Sequence, residues 1–341
     1  MEKINSYFYV KFLIILKAII AGKISILKIV NAIHCQFAYL LKLKKSGKSP
    51  IVISVDLWNE CNENCVFCRS EKGEIYDLKT KGEAPIIKGK LEIEYFKKIV
   101  DETFKTTIMI IPYINGEPLM YKGIYEAVQY ANSKKLFTLI ASNGILLNKN
   151  NSEKLIESGL DFLKVHISGM TKEVHSIQHR KGNVELILNN LKRIVELKKE
   201  RKSNITLMLD YILYNHNKHE LELAREFAKN LNIIFNIRPG NPAGMEETEG
   251  SQYKSPIPTN ACDWPWKALS VNWNADLLPC CEYVNWSGKT PYLNMKWNEI
   301  DLKKFWNGKI VEKFRNSHIK FGRKKIDICS GCPRQGIGFK F

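Results

Sequence analysis

Between about residues 50 and 240, short runs rich in β-branched residues alternate with amphipathic helical runs. This alternation is typical of strand–helix repeats that build a parallel sheet. The predicted strands are Ile51–Leu57, Ile108–Ile114, Leu136–Ala141, Phe162–Ser168, Ile205–Ile212 and Ile233–Ile237. The predicted helices are Glu92–Lys105, Tyr121–Lys134, Ser152–Ser158, Val184–Lys199 and Lys218–Asn230. Six strands are too few for a closed eight-stranded barrel, so the pattern predicts an α/β fold with an open, partial TIM-like (β/α)6 barrel.

Two segments flank this predicted barrel, which we place at residues 49–240. Residues 1–48 carry helical apolar patterns and few helix breakers, which predicts N-terminal amphipathic helices. After Arg238 the chain becomes rich in Pro and Gly, which indicates a connecting loop. Residues 241–341 then predict a small α+β domain, with a strand around 268–273 and a helix near 302–316. Such a domain has little core of its own, so metal ligation would add stability.

The formal charge of +17 is concentrated at the two ends of the chain. Residues 1–50 contain nine Lys and one acidic residue, and residues 301–341 contain eleven basic and three acidic residues. The 250 residues between them hold 32 basic and 31 acidic side chains. Because the predicted barrel is neutral, the composition does not indicate a nucleic-acid-binding surface, and we expect no nucleic-acid partner.

The first 45 residues allow two interpretations. The run Tyr7–Ala21 is nearly all apolar, but it is short and is interrupted by Lys11 and Lys17, which argues against a membrane-spanning helix. One interpretation is a helical pair that packs on the following domain. The other is a basic amphipathic anchor that makes peripheral contact with an anionic membrane surface through residues 1–45.

Cysteine usage is the second strong constraint. The chain has nine Cys and no recognisable cleavable secretory signal, which favours metal ligation in a reducing compartment over a disulfide framework. We therefore expect a cytoplasmic protein, with attachment to the inner face of the membrane if the N-terminal anchor is real. The cysteines form three groups and one isolated residue: Cys61, Cys65 and Cys68; Cys262, Cys280 and Cys281; Cys329 and Cys332; and Cys35.

The first group follows the first predicted strand, at the edge of the sheet where such folds carry their active sites. Three thiolates can hold three irons of a four-iron cluster and leave the fourth iron open. A structural zinc site is the competing interpretation, although it requires four closed ligands. The Cys61-x3-Cys65-x2-Cys68 spacing resembles that of the radical SAM superfamily. The resemblance implies that S-adenosylmethionine binds the open iron and is cleaved by one electron to a 5′-deoxyadenosyl radical.

Further residues match this family in chain order. They are Phe67, Asn115, Gly116, Glu117, Ser142, Asn143, Ser168 and Arg180. The resemblance implies that Phe67 packs near the adenine and that Arg180 binds the carboxylate of S-adenosylmethionine. The Asn115–Gly116–Glu117 segment is similar to the family's GGEP segment, which binds the methionine amino group through backbone carbonyls. Here Asn115 replaces the first Gly, and Asn also tolerates unusual backbone angles.

The C-terminal cysteines resemble the SPASM/twitch extension found behind many radical SAM cores. The resemblance implies four ligands of one auxiliary four-iron cluster, namely Cys262, Cys280, Cys329 and Cys332. Four ligands would saturate such a cluster, which suits electron transfer or a structural role. Cys281 remains an alternative to Cys280, and a four-cysteine zinc ribbon remains an alternative to the cluster. Ala275 stands where the family usually has Gly in a tight turn.

Other polar residues are candidates for substrate chemistry. Asp210, Tyr211 and Arg238 lie on or after the last two predicted strands, where a base or a phosphate clamp would be useful, and Glu282 lies beside the auxiliary cysteines. The alternative for each is an ordinary polar residue at a strand end. His166, His175 and His179 fall close together, but we expect them to be satisfied polar or surface groups rather than metal ligands.

The resemblance covers about residues 50–341 and implies a radical SAM enzyme with two 4Fe-4S clusters and an electron donor such as flavodoxin or ferredoxin. We expect a small-molecule substrate, for example a sugar, nucleotide sugar or lipid-linked glycan that undergoes oxidation, dehydration or epimerisation. A peptide-modifying maturase is the alternative, although such relatives often have two auxiliary clusters and ligands for one are present here. A non-catalytic zinc-binding module with basic ends is the competing class.

Overall fold

The computed structural model describes residues 6–68, 75–77, 82–84, 88–240, 260–278, 280, 293–294, 301–330 and 332. Its strands are β1 (Val52–Val55), β2 (Ile75–Asp77), β3 (Gly82–Ala84), β4 (Met109–Ile111), β5 (Phe137–Ser142), β6 (Phe162–Ile167), β7 (Thr206–Leu213), β8 (Ile234–Pro239), β9 (Ala268–Val271), β10 (Asp276–Leu278) and β11 (Leu293–Asn294). The six strands β1 and β4 to β8 pair in parallel and in chain order. The predicted α/β fold with a partial six-stranded barrel is confirmed.

The helices between residues 93 and 230 connect successive strands, as the alternating pattern predicts, and the others lie before β1 or after β8. The helices are α1 (Ser6–Ile20), α2 (Ile26–Leu40), α3 (Ile93–Thr103), α4 (Ile124–Ser133), α5 (Lys149–Glu157), α6 (Lys172–Gln178), α7 (Val184–Glu200), α8 (Leu221–Asn230), α9 (Trp264–Lys267), α10 (Leu302–Trp306), α11 (Lys309–Phe321) and α12 (Asp327–Ser330). Several short elements went unpredicted, namely the β2–β3 hairpin, α6, α9, β10, β11 and α12. The single helix predicted near 302–316 is wrong, because the chain breaks at Asn307 and Gly308 into α10 and α11.

The two faces of the sheet have different roles. Along β7, Leu207, Leu209 and Tyr211 belong to the main core between the sheet and its covering helices, whereas Met208 belongs to a second apolar cluster on the inner face. Successive side chains of a strand point to opposite faces, so Asp210 shares the inner face with Met208. The inner face therefore holds the polar groups that the barrel can present to a ligand.

The C-terminal strands continue the barrel sheet. Strand β9 pairs in parallel with β1, with Val52 opposite Ala268, and β10 pairs antiparallel with β9. Strand β11 completes the sheet edge beside β10. This pairing couples the cysteine-bearing tail to the strand that precedes Cys61. The division into domains at residues 48 and 240 stays a prediction.

The N-terminal helices pack across the amino ends of the strands. The Lys28 ammonium donates to the carbonyl oxygen of Lys135 at 2.5 Å, just before β5. The Asn31 amide donates to Ser49 and Thr106 carbonyls at 2.9 and 3.0 Å, just before β1 and β4. Val10 and Ala18 of α1 join the inner-face apolar cluster. Packing on the following domain, the first interpretation of this segment, is therefore observed, and none of the described helices is long and apolar enough to cross a membrane.

Ala275, between β9 and β10, occupies a turn that strains a side chain. Its φ is +67°, a conformation that costs a non-glycine residue about 1–2 kcal/mol. Because the larger flexibility of unfolded Gly offsets part of the gain, we expect Ala275→Gly to raise the free energy of unfolding by roughly 0.5–1 kcal/mol in urea denaturation. The control, Ala131→Gly inside α4, should lower it by about 1 kcal/mol or more. A destabilised Ala275→Gly variant would contradict the strain.

Candidate iron–sulfur and cofactor site

The loop that carries Cys61, Cys65 and Cys68 begins directly after β1, at the carboxyl edge of the sheet. Cys65 pairs with His179 in an isolated β-bridge, and the Val66 N–H donates to the Gln178 carbonyl at 2.9 Å. The segment after α6 therefore holds the loop in place, and the three cysteines lie on the side of the barrel where its polar residues collect.

The three thiols lie close enough to affect one another. Burial raises the pKa of the Cys65 thiol well above its usual range, and nearby Glu63, Cys68 and Cys61 raise it further. Thiolates gathered in this way repel one another, so a bound cation is needed to hold them deprotonated. The donor set therefore fits a thiolate-bound iron cluster.

Glu63 and His179, which the sequence analysis did not assign to the site, lie against Cys65. His179 Nδ1 is 3.2 Å from the Cys65 sulfur and 2.9 Å from Glu63 Oε2. His175 stacks on His179 with 4.4 Å between ring centroids. The Nε2 atoms of His166, His175 and His179 are all buried without a hydrogen-bond partner among the described residues, so the expectation that these histidines are satisfied polar or surface groups is wrong. The i, i+4 spacing of His175 and His179 was the signal available in the sequence, but that spacing does not reveal their contact with the cysteine loop.

The Asn115–Gly116–Glu117 segment packs directly against the start of the cysteine loop. Gly116 has φ +68°, and a Cβ there would meet the Trp58 carbonyl oxygen at 2.8 Å, so only Gly fits this approach. The Glu117 N–H donates to the Glu60 carbonyl at 2.8 Å. The segment resembling GGEP is thus fastened to the residue before Cys61.

The Glu117 carboxylate links this segment to the end of β5. It accepts hydrogen bonds from Ser142 Oγ and Asn143 N, both at 2.8 Å, and from Leu119 N at 3.1 Å. Complete burial raises the pKa of Glu117 to about 7 in spite of these donors. The Asn143 amide in turn donates to Asn62 Oδ1 at 2.7 Å and lies 3.8 Å from the Cys61 sulfur. The structure therefore brings these predicted cofactor residues to the cysteine loop.

Asp56 is a further buried acid at this edge that the sequence analysis did not single out. Its carboxylate accepts from the Asn115 backbone N–H at 3.0 Å and from the Asn115 side-chain amide at 3.2 Å. This pairing explains why Asn can replace Gly at position 115. The available signal was position, because Asp56 follows β1 directly, where parallel-sheet folds place functional residues.

The remaining predicted cofactor residues surround the same loop. Ser168 follows β6, and its hydroxyl is buried without a hydrogen-bond partner among the described residues. Phe67 is half-buried between Val66 and Cys68, and Arg180 is half-buried directly after His179. A buried hydroxyl without a partner is unfavourable unless a ligand satisfies it. These placements are compatible with the predicted roles, which stay predictions.

The inner face carries a cluster of charged and polar residues on β6, β7 and β8. The Arg238 Nε donates to Asp210 Oδ2 at 2.7 Å, Arg238 Nη2 lies 3.1 Å from His166 Nδ1, and the Asn236 amide donates to Asp210. Burial raises the pKa of Asp210, but the charge of Arg238, the other nearby cationic groups and the hydrogen bond from Asn236 together outweigh that effect, so the pKa falls well below its usual range. Burial and the charge of Arg238 lower the pKa of His166 to about 3. The cluster therefore combines a charged Asp–Arg pair with a neutral imidazole.

Tyr211 does not belong to this inner-face cluster, and its predicted cavity position is wrong. Strand alternation turns it to the other face, where its ring is completely buried near Phe235. Its hydroxyl donates to the Asn217 carbonyl at 2.8 Å. Tyr211 therefore stabilises the packing between the sheet and its helices.

Three of the C-terminal cysteines, Cys262, Cys329 and Cys332, lie close enough to affect one another's pKa. Burial raises the pKa of Cys262 to about 11 and that of Cys329 to about 12, and the charges of neighbouring thiols, among them Cys332, contribute to both shifts. His318 Nε2 lies 3.8 Å from the Cys329 sulfur. Cys280 follows β10, which pairs with β9. Cys262, Cys329 and Cys332 therefore fit ligands of one cluster, and Cys280 as the fourth ligand stays a prediction.

Of the remaining residues of interest, Cys281 and Glu282 lie outside the described residues, so the choice between Cys280 and Cys281 as a cluster ligand stays open. Cys35 is completely buried in α2, where its sulfur lies 3.7 Å from the Ser49 carbonyl oxygen.

An open parallel barrel with a three-cysteine loop at its carboxyl edge defines a site for an iron–sulfur cluster with a bound cofactor. The model of the Radical SAM superfamily matches residues 55–228, and that of an iron–sulfur cluster-binding domain, SPASM, matches residues 262–333. The chain therefore belongs to the radical SAM superfamily, with a C-terminal SPASM domain. It is a radical SAM enzyme, and members of this family bind S-adenosylmethionine and 4Fe-4S clusters.

Several characterised proteins are similar to this chain. The AdoMet-dependent heme synthase of Methanosarcina barkeri is 25% identical over 212 residues, which cover 60% of this chain and 56% of that protein. Streptococcus suis SuiB has a TM-score of 0.61 at 13% identity, covering 87% of this chain and 76% of SuiB. BtrN in complex with AdoMet and 2-DOIA has a TM-score of 0.53 at 17% identity, covering 84% and 96%. The chain thus spans little more than half of the heme synthase, and the structural likenesses show the fold.

Proposed function

We propose that Cys61, Cys65 and Cys68 hold the cluster that binds S-adenosylmethionine, and that the enzyme abstracts hydrogen from a small molecule bound at the inner-face cluster. When bound, the cluster and S-adenosylmethionine supply the 5′-deoxyadenosyl radical. The chain's own residues bind and orient the reactants. Glu117 keeps the Asn115–Gly116 backbone in place, and Asn143 joins that segment to the cysteine loop.

The proposal for substrate binding rests on the position of Arg238 in the inner-face cluster. Its guanidinium is oriented by Asp210 and His166, yet its side chain is 33% exposed, so it can still be reached from the barrel interior. Arg has five N–H donors in a planar fork that suits a carboxylate or phosphate. The proposed substrate therefore carries an anionic group, as a sugar phosphate or a nucleotide sugar does.

The auxiliary cysteines favour a net oxidation of that substrate. A substrate radical must lose one electron and one proton to become an oxidised product, and Cys262, Cys280, Cys329 and Cys332 would hold a saturated cluster suited to accept the electron. The lowered pKa of Asp210 makes its carboxylate a weak base, so Asp210 orients Arg238 and the proton is released to solvent water. A flavodoxin or ferredoxin is the proposed electron donor for the first cluster.

Deuterium transfer tests this function. The reconstituted enzyme is incubated with S-adenosylmethionine, reductant and deuterated sugar phosphates or nucleotide sugars, and 5′-deoxyadenosine is examined by mass spectrometry. We expect deuterium in 5′-deoxyadenosine from at least one of these anionic compounds, and none from the matching neutral sugar. Transfer from neutral sugars alone would contradict the proposed role of Arg238.

The role of the auxiliary cysteines is tested with the same assay. Cys329→Ala/Cys332→Ala should remove about four of about eight irons, leave 5′-deoxyadenosine formation within about threefold of wild type, and abolish the oxidised product. Cys35→Ala is the control, since Cys35 is a buried residue of α2 that is assigned to neither proposed cluster, and its loss should leave the iron content unchanged. Normal product from the double variant would rule out the auxiliary cluster as the electron acceptor.

A further inference from the structure

Helix α2 is amphipathic in the opposite sense to an ordinary surface helix. Its buried residues are Lys28, Asn31, Cys35 and Ala38. Its exposed apolar residues are Ile26, Leu27, Ile29, Val30, Ile33, Phe37 and Leu40. Ile26 is 79% exposed, whereas Lys28 is only 3% exposed. A surface helix normally turns its apolar stripe to the core, so this orientation requires an explanation.

The inward polar residues fix this orientation. The Lys28 ammonium donates to the carbonyls of Lys135 and Lys23 at 2.5 and 2.9 Å. The Asn31 amide donates to Ser49 and Thr106, and its oxygen accepts from the Lys48 N–H at 2.7 Å. Turning α2 over would leave the buried carbonyl oxygens of Ser49 and Thr106 without the Asn31 donor, at a cost of about 1–3 kcal/mol each. The apolar side is therefore held outward by specific hydrogen bonds.

The same exposure extends along α1 and past the end of α2. We call the exposed apolar residues between positions 9 and 43 the outer face. They are 15 of the 19 large apolar side chains that are exposed in the described part of the chain. Those on α1 and after α2 are Tyr9, Phe12, Ile15, Leu16, Ile19, Ile20, Leu41 and Leu43. This concentration of exposed apolar residues on two consecutive helices marks an interaction surface rather than scattered exposure.

The charges around the outer face select one kind of occupant. Residues 3–55 contain no Asp or Glu, while residues 1–50 contain nine Lys. Lys17, Lys42 and Lys44 are exposed at the ends of the two helices, beside the apolar residues. An isologous pair of outer faces would bring Lys against Lys, and residues 3–55 provide no carboxylate to compensate. Apolar residues bordered by Lys instead match acyl chains and anionic headgroups.

We propose that the outer face of α1 and α2 is a membrane-binding surface that inserts into the interfacial region of an anionic bilayer without spanning it. The proposal is independent of the substrate proposed above. Because α2 covers the amino ends of the strands and the cysteine loop lies at their carboxyl ends, a docked enzyme keeps its catalytic opening toward water. S-adenosylmethionine and a protein reductant can then reach the site from solution.

Vesicle sedimentation of the reconstituted full chain tests the proposal. We expect binding to phosphatidylcholine vesicles that contain phosphatidylglycerol, weaker binding to phosphatidylcholine alone, and weaker binding at high salt, which screens the Lys residues. Ile33→Glu/Phe37→Glu on the outer face should lower the partition coefficient by more than about tenfold. The matched control is Leu186→Glu/Leu223→Glu, which adds the same charges at exposed apolar residues of α7 and α8 and should bind like wild type.

A second variant keeps the test decisive if the first does not fold. Lys42→Glu/Lys44→Glu should weaken binding to phosphatidylglycerol vesicles while its iron content and circular dichroism stay unchanged. Equal sedimentation of both outer-face variants and wild type would overturn the proposal. So would a wild-type dimer in sedimentation velocity that ignores vesicles and that Ile33→Glu/Phe37→Glu dissociates, because the outer face would then cover a second copy.

Discussion

Replacing Cys61, Cys65 and Cys68 by Ala is expected to abolish reductive cleavage of S-adenosylmethionine, with 5′-deoxyadenosine falling at least about a thousandfold. The physical reason is the donor set, since Cys61 and Cys68 lie close enough on the same loop to raise the pKa of the Cys65 thiol, and thiolates are the ligands that iron–sulfur clusters take. Anaerobically reconstituted protein should lose about four of about eight irons. The measurements are iron analysis and chromatography of 5′-deoxyadenosine after reduction with dithionite.

The reciprocal variant is the control for this prediction. Cys329→Ala/Cys332→Ala should lose a similar amount of iron but keep cleavage, because those cysteines belong to the other group. Stoichiometric zinc in wild type, with no 5′-deoxyadenosine, would contradict the assignment and favour a zinc-binding module. Retained cleavage in the triple variant would mean that another ligand set holds the catalytic cluster.

Arg238→Met is expected to lower deuterium transfer from an anionic substrate by about a hundredfold while cleavage of S-adenosylmethionine alone stays within about threefold. The loss corresponds to about 3 kcal/mol, which is typical when a charged hydrogen-bonding partner is removed. Cleavage survives because Arg238 lies on β8 in the inner-face cluster, whereas the residues that hold the cysteine loop lie elsewhere. Mass spectrometry of 5′-deoxyadenosine measures both reactions in one sample.

Two further variants separate binding from folding. Arg238→Met leaves Asp210 buried without its cation, which is destabilising, so Asp210→Asn/Arg238→Met removes both charges and should fold better. That double variant should still fail to transfer deuterium. Arg201→Met, an exposed Arg beside Glu153, controls for the loss of a positive charge and should behave like wild type. Full deuterium transfer by the double variant would exclude Arg238 from substrate binding.

The behaviour of α2 shows why local pattern can identify a helix and still leave its environment open. Apolar periodicity predicts the helix, but the same periodicity is compatible with a core-facing and an outward-facing stripe. The outcome depends on Lys28 and Asn31, whose partners precede β1, β4 and β5 and lie far away in the chain. Both sequence interpretations of residues 1–45 contribute to the result, since the helices pack on the sheet and yet expose an apolar, Lys-bordered face.

From the sequence, Tyr211 is proposed as a site residue and His179 is not, and the structure reverses both. Tyr211 was expected in the cavity, but a shift of one residue along a strand reverses the face, and its neighbour Asp210 takes the inner position. His179 was expected to be a satisfied polar group, but the turn after α6 brings it to Cys65. Neither outcome is visible without the pairing of distant segments.

The sequence by itself determined the strand–helix order and the three-cysteine loop after β1, because these depend on spacing within a short stretch of chain. Only the tertiary structure decided that Glu63 and His179 meet at Cys65, that Arg238 pairs with Asp210 beside His166, and that β9 extends the sheet next to β1. Each of these contacts joins residues from separate elements, so their distances are set by how the strands pair and how the helices pack.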